Sequence, residues 1–176
     1  MAIGTSAICG TFKREILAGI HFLTAHTRTG SSAISADTFK VAMFTNSASI
    51  DADTTGYTTS NEVSGTNYSA GGAALSSVTI GLGDDSSSSG PGGGGIPTAF
   101  VDFADTTFSS STISSARGAL IYNSTLSSAG TGSTTNHAAD PAVAVINFGG
   151  DKSSSAGDFT IQYPANDANN AVIRIG

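Results

Sequence analysis

The first clear periodicity along the chain begins at Thr11. Phe12, Ile16, Ile20 and Leu23 recur at spacings of four, four and three, which places them on one face of an amphipathic helix. Thr11 has the side chain of an N-cap, and the Thr-rich run from Thr24 to Thr29, followed by Gly30, ends the pattern. One N-terminal helix of about three turns is predicted. Before it, Met1 to Gly10 is small and apolar, with Ile3 and Ile8 its sizeable side chains, and reads as an arm (residues 1–10) without a core of its own.

After Gly30 the period changes. Thr38 to Thr45 is a strand pattern that puts Phe39, Val41 and Met43 on one face. Further aromatic or β-branched runs follow at Leu75 to Leu82, Ala99 to Ala104, Gly118 to Asn123, Ala142 to Phe148, Asp158 to Tyr163 and Ala171 to Ile175. Asp158 to Tyr163 alternates apolar with polar residues, as a half-buried strand does. The run from Ala142 to Phe148 is nearly continuous and predicts a central strand covered on both sides. Short strands separated by Gly, Ser, Asn and Asp predict a mainly β chain. Residues 11–176 would form a single β-sandwich or barrel-like domain of short antiparallel strands with one N-terminal helix. Gly83 to Pro97 (GDDSSSSGPGGGGIP) interrupts this pattern and reads as a flexible surface loop between two strands, because so much glycine is entropically costly to order.

Composition narrows the function classes. The 176 residues include 27 serines, 22 threonines and 22 glycines, with no tryptophan, and only 11% are charged. No window holds the 18 or so consecutive apolar residues of a membrane span, and no charged apolar N-terminus resembles a cleaved signal peptide. The formal net charge is −6, and the seven basic residues are scattered, with only Lys13 and Arg14 adjacent. Nucleic-acid binding and attraction to an anionic membrane both need clustered cations, so neither partner is expected. A lone cysteine, Cys9, excludes an intrachain disulfide and a cysteine-rich zinc site.

The candidate chemistry is thin. Gly149-Gly150-Asp151-Lys152-Ser153-Ser154 lacks the upstream glycine of a phosphate loop and precedes a strand, so a tight turn is expected there. The sharp G-x-S-x-G elbow of a serine hydrolase is absent. His21 is read as making a structural hydrogen bond, or as interacting with the helix C-terminus, while His26 and His137 fall in polar loops. Asp51 with Asp53, Asp84 with Asp85, and Asp102 with Asp105 lack calcium-loop spacing and suit turns. Cys9 has no cationic neighbourhood to activate it. No catalytic residue, metal ligand or cofactor is assigned.

Specific strings add a resemblance. TFKVAMFT (38–45), NEVSGTNYSAGGAAL (61–75), AFVDFADTTF (99–108), ARGALIYN (116–123), AVAVINFGGDKSSSAGDFTIQYP (142–164) and NAVIRI (170–175) occur in this order. The chain from Phe12 onward resembles a family of small structural proteins of tailed bacteriophages. The long Gly83 to Pro97 insertion and the apolar arm are departures from it. The resemblance implies a non-enzymatic virion component, most simply a capsid decoration (cement) protein on the outer capsid surface. Its expected partners are the major capsid protein and copies of itself, with a trimer suggested by the role alone. That role makes Ile3, Ile8 and Phe12 candidate capsid anchors. The alternative from another class is a tail or head-fibre module that binds a host-surface glycan or protein. A third is an enzyme acting on cell-surface polysaccharide.

Overall fold

The two apolar runs FKVAMF and GALIYN pair with each other, Phe39 opposite Asn123 through Phe44 opposite Gly118. The structure is a computed structural model and describes residues 3–27, 32–86, 95–131 and 136–176. In chain order the elements are β1 (Ala7–Ile8), α1 (Gly10–Leu17), β2 (Phe39–Phe44), β3 (Gly65–Thr66), β4 (Ala73–Ala74), β5 (Thr79–Asp85), β6 (Ile96–Asp102), β7 (Thr106–Asn123), β8 (Ala142–Ile161) and β9 (Ile173–Ile175). The fold is mainly β, in two antiparallel sheets with one helix, the class that the patterning predicts. The chain divides into two compact units, residues 3–74 with 107–159, and residues 75–106 with 160–176.

The first unit holds the larger sheet, ordered β1-β8-β7-β2-β4, with β3 pairing separately to β7. Its core is formed by Phe39, Val41, Met43 and Phe44 of β2, Leu120 and Ile121 of β7, and Val143 and Val145 of β8, all essentially fully buried. Each such side chain contributes about 1.5–3 kcal/mol on burial. Of the run from Ala142 to Phe148 expected as a covered central strand, residues 142–145 are buried and Ile146, Asn147 and Phe148 are half-buried.

Three local expectations change. The helix begins after Cys9, the N-cap in extended conformation, and Thr11 lies inside the first turn. It stops at Leu17 rather than running to Leu23. Gly19 adopts φ +70°, its N–H bonds the Ile16 carbonyl at 3.0 Å, and the Ile20 N–H bonds the Glu15 carbonyl at 3.0 Å. That pair of bonds is a Schellman stop, which periodicity alone does not reveal. The arm read as lacking a core of its own is docked. Ala7 and Ile8 pair with Val145 and Ala144, and Asn147 Nδ2 donates to the carbonyls of Ile3 (3.2 Å) and Gly4 (2.9 Å). A two-residue edge strand is thereby added beside β8, and residues 3–10 belong to the first unit.

The third change is strand length: β7 spans 18 residues and β8 spans 20. Stretches that look like serine-rich turns are continuous strand, because hydroxyls replace ladder partners where the backbone bulges. Ser110, Ser115 and Ala156 have φ of 49°, 55° and 51°. Nearby, Ser154 Oγ accepts the Ile113 N–H at 3.2 Å, Ser153 Oγ accepts the Ser115 N–H at 3.0 Å, and Thr112 Oγ1 accepts the Ala156 N–H at 3.0 Å. The turn expected at Gly149 is a kink within β8 at φ +72°.

The second unit holds the sheet β5-β6-β9. The loop expected over 83–97 is narrower than its composition suggests, since Gly83, Asp84 and Asp85 pair with Thr98, Pro97 and Ile96. Residues 87–94 of it lie outside the described residues. The segment joins two neighbouring strands of one sheet and does not separate the two units.

Gly72 provides a test of the larger sheet. Its φ is +66°, and a Cβ there would sit 1.8 Å from the Val41 carbonyl oxygen. Gly72→Ala is expected to cost on the order of 3 kcal/mol or more. Gly149→Ala, with the same backbone sign but nothing within 4 Å, should cost about 1–2 kcal/mol. Urea unfolding midpoints of the two variants measure the difference, and equal losses would contradict the close approach of Gly72 to β2.

Candidate functional site

The groups most able to do chemistry converge at two places in the first unit. At the first, the Schellman turn brings His21 back over α1. Its Nε2 lies 2.8 Å from Glu15 Oε2, and both side chains are at most 1% exposed. On the other side of the ring, Asn123 Nδ2 lies 3.0 Å from His21 Nδ1 and 2.7 Å from Asp37 Oδ2. The Asn123 Oδ1 accepts the Thr125 N–H at 3.0 Å, which fixes the amide with its NH2 toward the ring. His21 is therefore the neutral Nε2–H tautomer, donating to Glu15 and accepting from Asn123. Burial lowers its pKa, against the raising effect of the Glu15 bond. Protonation would also set an Nδ1–H against the Asn123 NH2. Both ring nitrogens are committed, so the ring has no free lone pair to act as a general base. The structural hydrogen bond is the reading that the geometry supports.

The second convergence joins two strings noted in the sequence. Glu62 accepts hydrogen bonds from Tyr57 Oη (2.5 Å), Tyr68 Oη (2.7 Å) and the Gly71 N–H (2.8 Å). Tyr68 Oη in turn accepts the Met43 N–H at 2.9 Å, and Tyr122 Oη donates to the Gly71 carbonyl at 2.8 Å. The Tyr57 and Tyr122 rings stack with centroids 4.5 Å apart. Burial raises all three phenols, that of Tyr122 to about 12, and the Glu62 bonds raise Tyr57 and Tyr68 further. The NEVSGTNYSAGG segment is thus tied to β2 and β7 by one carboxylate and three tyrosines. Sequence reading treats these strings as distinctive without giving the reason.

The remaining candidates do not assemble. Cys9 is fully buried, and burial, then the nearby Asp51 and Glu15 charges, push its thiol up to about 12. His26 Nδ1 faces the Thr24 carbonyl (3.2 Å) and His137 Nδ1 the Ala138 carbonyl (2.8 Å). Asp51 accepts the Asp53 N–H in a turn, and Asp85 meets Arg174 at 3.2 Å. Asp102 accepts the Phe103 N–H and Asp105 accepts the Tyr163 N–H, with burial raising the pKa of Asp102. Among the described residues no group of three or more His, Cys, Asp or Glu side chains is placed to hold a metal ion. Of the candidate anchors, Ile3 is 5% exposed and Phe12 is fully buried, while Ile8 is half-buried in β1. Ile3 is withdrawn from the surface with the docked residues 3–10, and Phe12 is withdrawn within α1.

The surface feature that stands out lies on the second unit. Of four large apolar residues exposed on the described surface, three lie on its sheet: Leu82 at 78%, Ile175 at 51% and Ile80 at 50%, with Leu17 at the end of α1 as the fourth. The register puts Leu82 beside Ala99 and Ala99 beside Ile175, a row across all three strands. Pro97 and Ala99 are exposed too. The opposite face of β5 carries Gly81 and Gly83. A Cβ on Gly81 would lie 2.2 Å from Phe100 Cζ, so the aromatic ring takes the place that a side chain would fill. With one face given to Phe100, the strand's large apolar residues turn outward. The signal was present as T-I-G-L-G, apolar residues alternating with glycine instead of with polar ones, and sequence reading did not use it.

Two measurements check these assignments. A thiol reagent such as an aromatic disulfide should leave Cys9 unmodified in the native chain and label it fully in 8 M urea (about the usual unfolding concentration); rapid native labelling would show that residues 3–10 are undocked. For His21, the folded ring binds its proton less readily than the unfolded one, so the unfolded chain gains the proton first as pH falls below 6.5. Its stabilising contribution is complete above that pH and drains away below it. The urea midpoint should fall between pH 7 and pH 5, and His21→Asn, less stable at pH 7, should show a flatter slope; an unchanged slope would remove His21 as its source. No family model matches this chain, and no curated protein or solved structure matches it.

Proposed function

We propose that this chain is a non-enzymatic structural component of a tailed-phage virion that binds the outer capsid surface across junctions between major capsid subunits and stabilises the shell. The observation that carries the reading is the concentration of exposed large apolar residues on one sheet face of the second unit, Ile80, Leu82 and Ile175. The groups best placed for chemistry, Glu15, His21 and Glu62, are meanwhile committed to internal bonds. An apolar face on a chain otherwise rich in small polar residues suits a broad protein partner. The resemblance of the 38–45, 61–75 and 116–123 strings to phage structural proteins gives that partner its class. With Ile3 and Phe12 buried, the shell contact is assigned to the sheet face in place of the arm. The net charge of −6 suits a position facing outward, away from packaged DNA. Binding only the assembled shell would shift the equilibrium away from disassembly, and many copies would add avidity.

Quantitative mass spectrometry of purified particles tests this. The molar ratio of this chain to the major capsid protein is expected to be of order one. A ratio many-fold lower would move the chain to the tail or a fibre and favour binding to the host surface. Absence from particles would overturn the reading.

A further inference from the structure

The apolar face is bordered by a strand edge with unusual properties. Among the described residues, β5 has β6 on one side and no strand on the other. Proteins normally protect such edges with lysine, proline, a bulge or short length. Among the described residues, two other edges follow that rule. The outer part of β8 carries Lys152 and the kink at Gly149, and β9 is three residues long with Arg174 at its centre. In β5, seven residues long, the run from Thr79 to Gly83 has no charge, no proline and no left-handed residue.

We infer that β5 pairs antiparallel with β5 of a second copy, about a two-fold axis at Leu82. The sequence is self-complementary around that residue. Gly81 faces Gly83 of the other copy, Ile80 faces Asp84, Thr79 faces Asp85, and Leu82 faces Leu82. On the glycine face no side chain of residues 81 or 83 projects toward the axis. On the other face, the row Ile175–Ala99–Leu82 continues into Leu82–Ala99–Ile175 of the second copy, one apolar row across six strands. Charge selects the direction. A parallel pair in register would stack Asp84 on Asp84 and Asp85 on Asp85, whereas the antiparallel pair sets the two Asp84 side chains about 13 Å apart along the strands. That exceeds the roughly 8 Å screening length at physiological salt. Such a contact presents the same surface on both copies and closes at two chains. The trimer suggested by the role would need a different contact.

Cysteine cross-linking of the full chain tests the register. Residues facing each other across an antiparallel pair have Cα atoms about 4.5–5.5 Å apart, within disulfide range, while residues about 13 Å apart are outside it. Leu82 is exposed, so Leu82→Cys should fold normally, and the buried Cys9 contributes no background. Under mild oxidation Leu82→Cys is expected to form a covalent dimer at least tenfold faster than Asp84→Cys alone. A mixture of Ile80→Cys with Asp84→Cys should link as the heterodimer. If Leu82→Cys links no faster than Asp84→Cys, the pairing is wrong. This result is independent of the proposed location, which is read from particle stoichiometry, so either can fail while the other stands.

Discussion

The six-residue ladder between β2 and β7 is the contact from which the first unit is organised. Its two strands contribute most of the fully buried side chains, and one end of the ladder serves two further purposes. At that end Asn123 pairs with Phe39 and extends its amide to His21 and Asp37. One residue earlier, Tyr122 reaches the Gly71 carbonyl, and Gly72 then lies against the backbone of Val41. A shift of one residue in this register would turn Tyr122 and Asn123 to opposite faces, taking the Asn123 amide from His21 Nδ1 and the Tyr122 hydroxyl from the Gly71 carbonyl. Unpaired buried polar groups cost more than their hydrogen bonds contribute when made, so these networks specify the register more than they add to stability.

Composition explains why such networks are needed. With 7% aromatic residues and no tryptophan, the chain has few large side chains with which to define a core. Three of its four tyrosines surround one glutamate, and the only histidine with a fully buried side chain sits between a glutamate and an asparagine. Elsewhere serine takes up the same task. Along β7 and β8, hydroxyls accept the amides that bulges leave unpaired, which lets long strands persist through sequence with the composition of a linker.

The mainly β class, the single helix and the central strands at 39–44 and 142–145 were legible because hydrophobic periodicity records burial directly. Helix length was not, since Ile20 and Leu23 keep the helical spacing after Gly19 has ended the helix. The strands through Ser109–Ser115 and Ser153–Ser155 were hidden because side-chain hydroxyls leave no periodic signature. The arm was read as lacking a core of its own because its partners are distant, with Asn147, which bonds the Ile3 carbonyl, 144 residues away in the sequence. The candidate interaction face was also missed, although its glycine alternation is local. A pattern reader counts glycine as a breaker, whereas in β5 it makes room for Phe100.

These differences separate the two units by the state of their polar and apolar groups. In the first, Glu15, Glu62 and the hydroxyls of Tyr57, Tyr68 and Tyr122 are matched to side-chain or backbone partners within the unit. In the second, glycine on one face of β5 forces isoleucine and leucine onto the other, where water meets them at a standing cost of roughly 25 cal/mol for each Å2. A sequence under selection for solubility alone would place Ser or Thr at positions 80 and 82, as it does at so many others in this chain. Ile80 and Leu82 stand beside a strand edge that is uncharged from Thr79 to Gly83, so the pairing and the shell contact proposed above would each remove apolar surface from water.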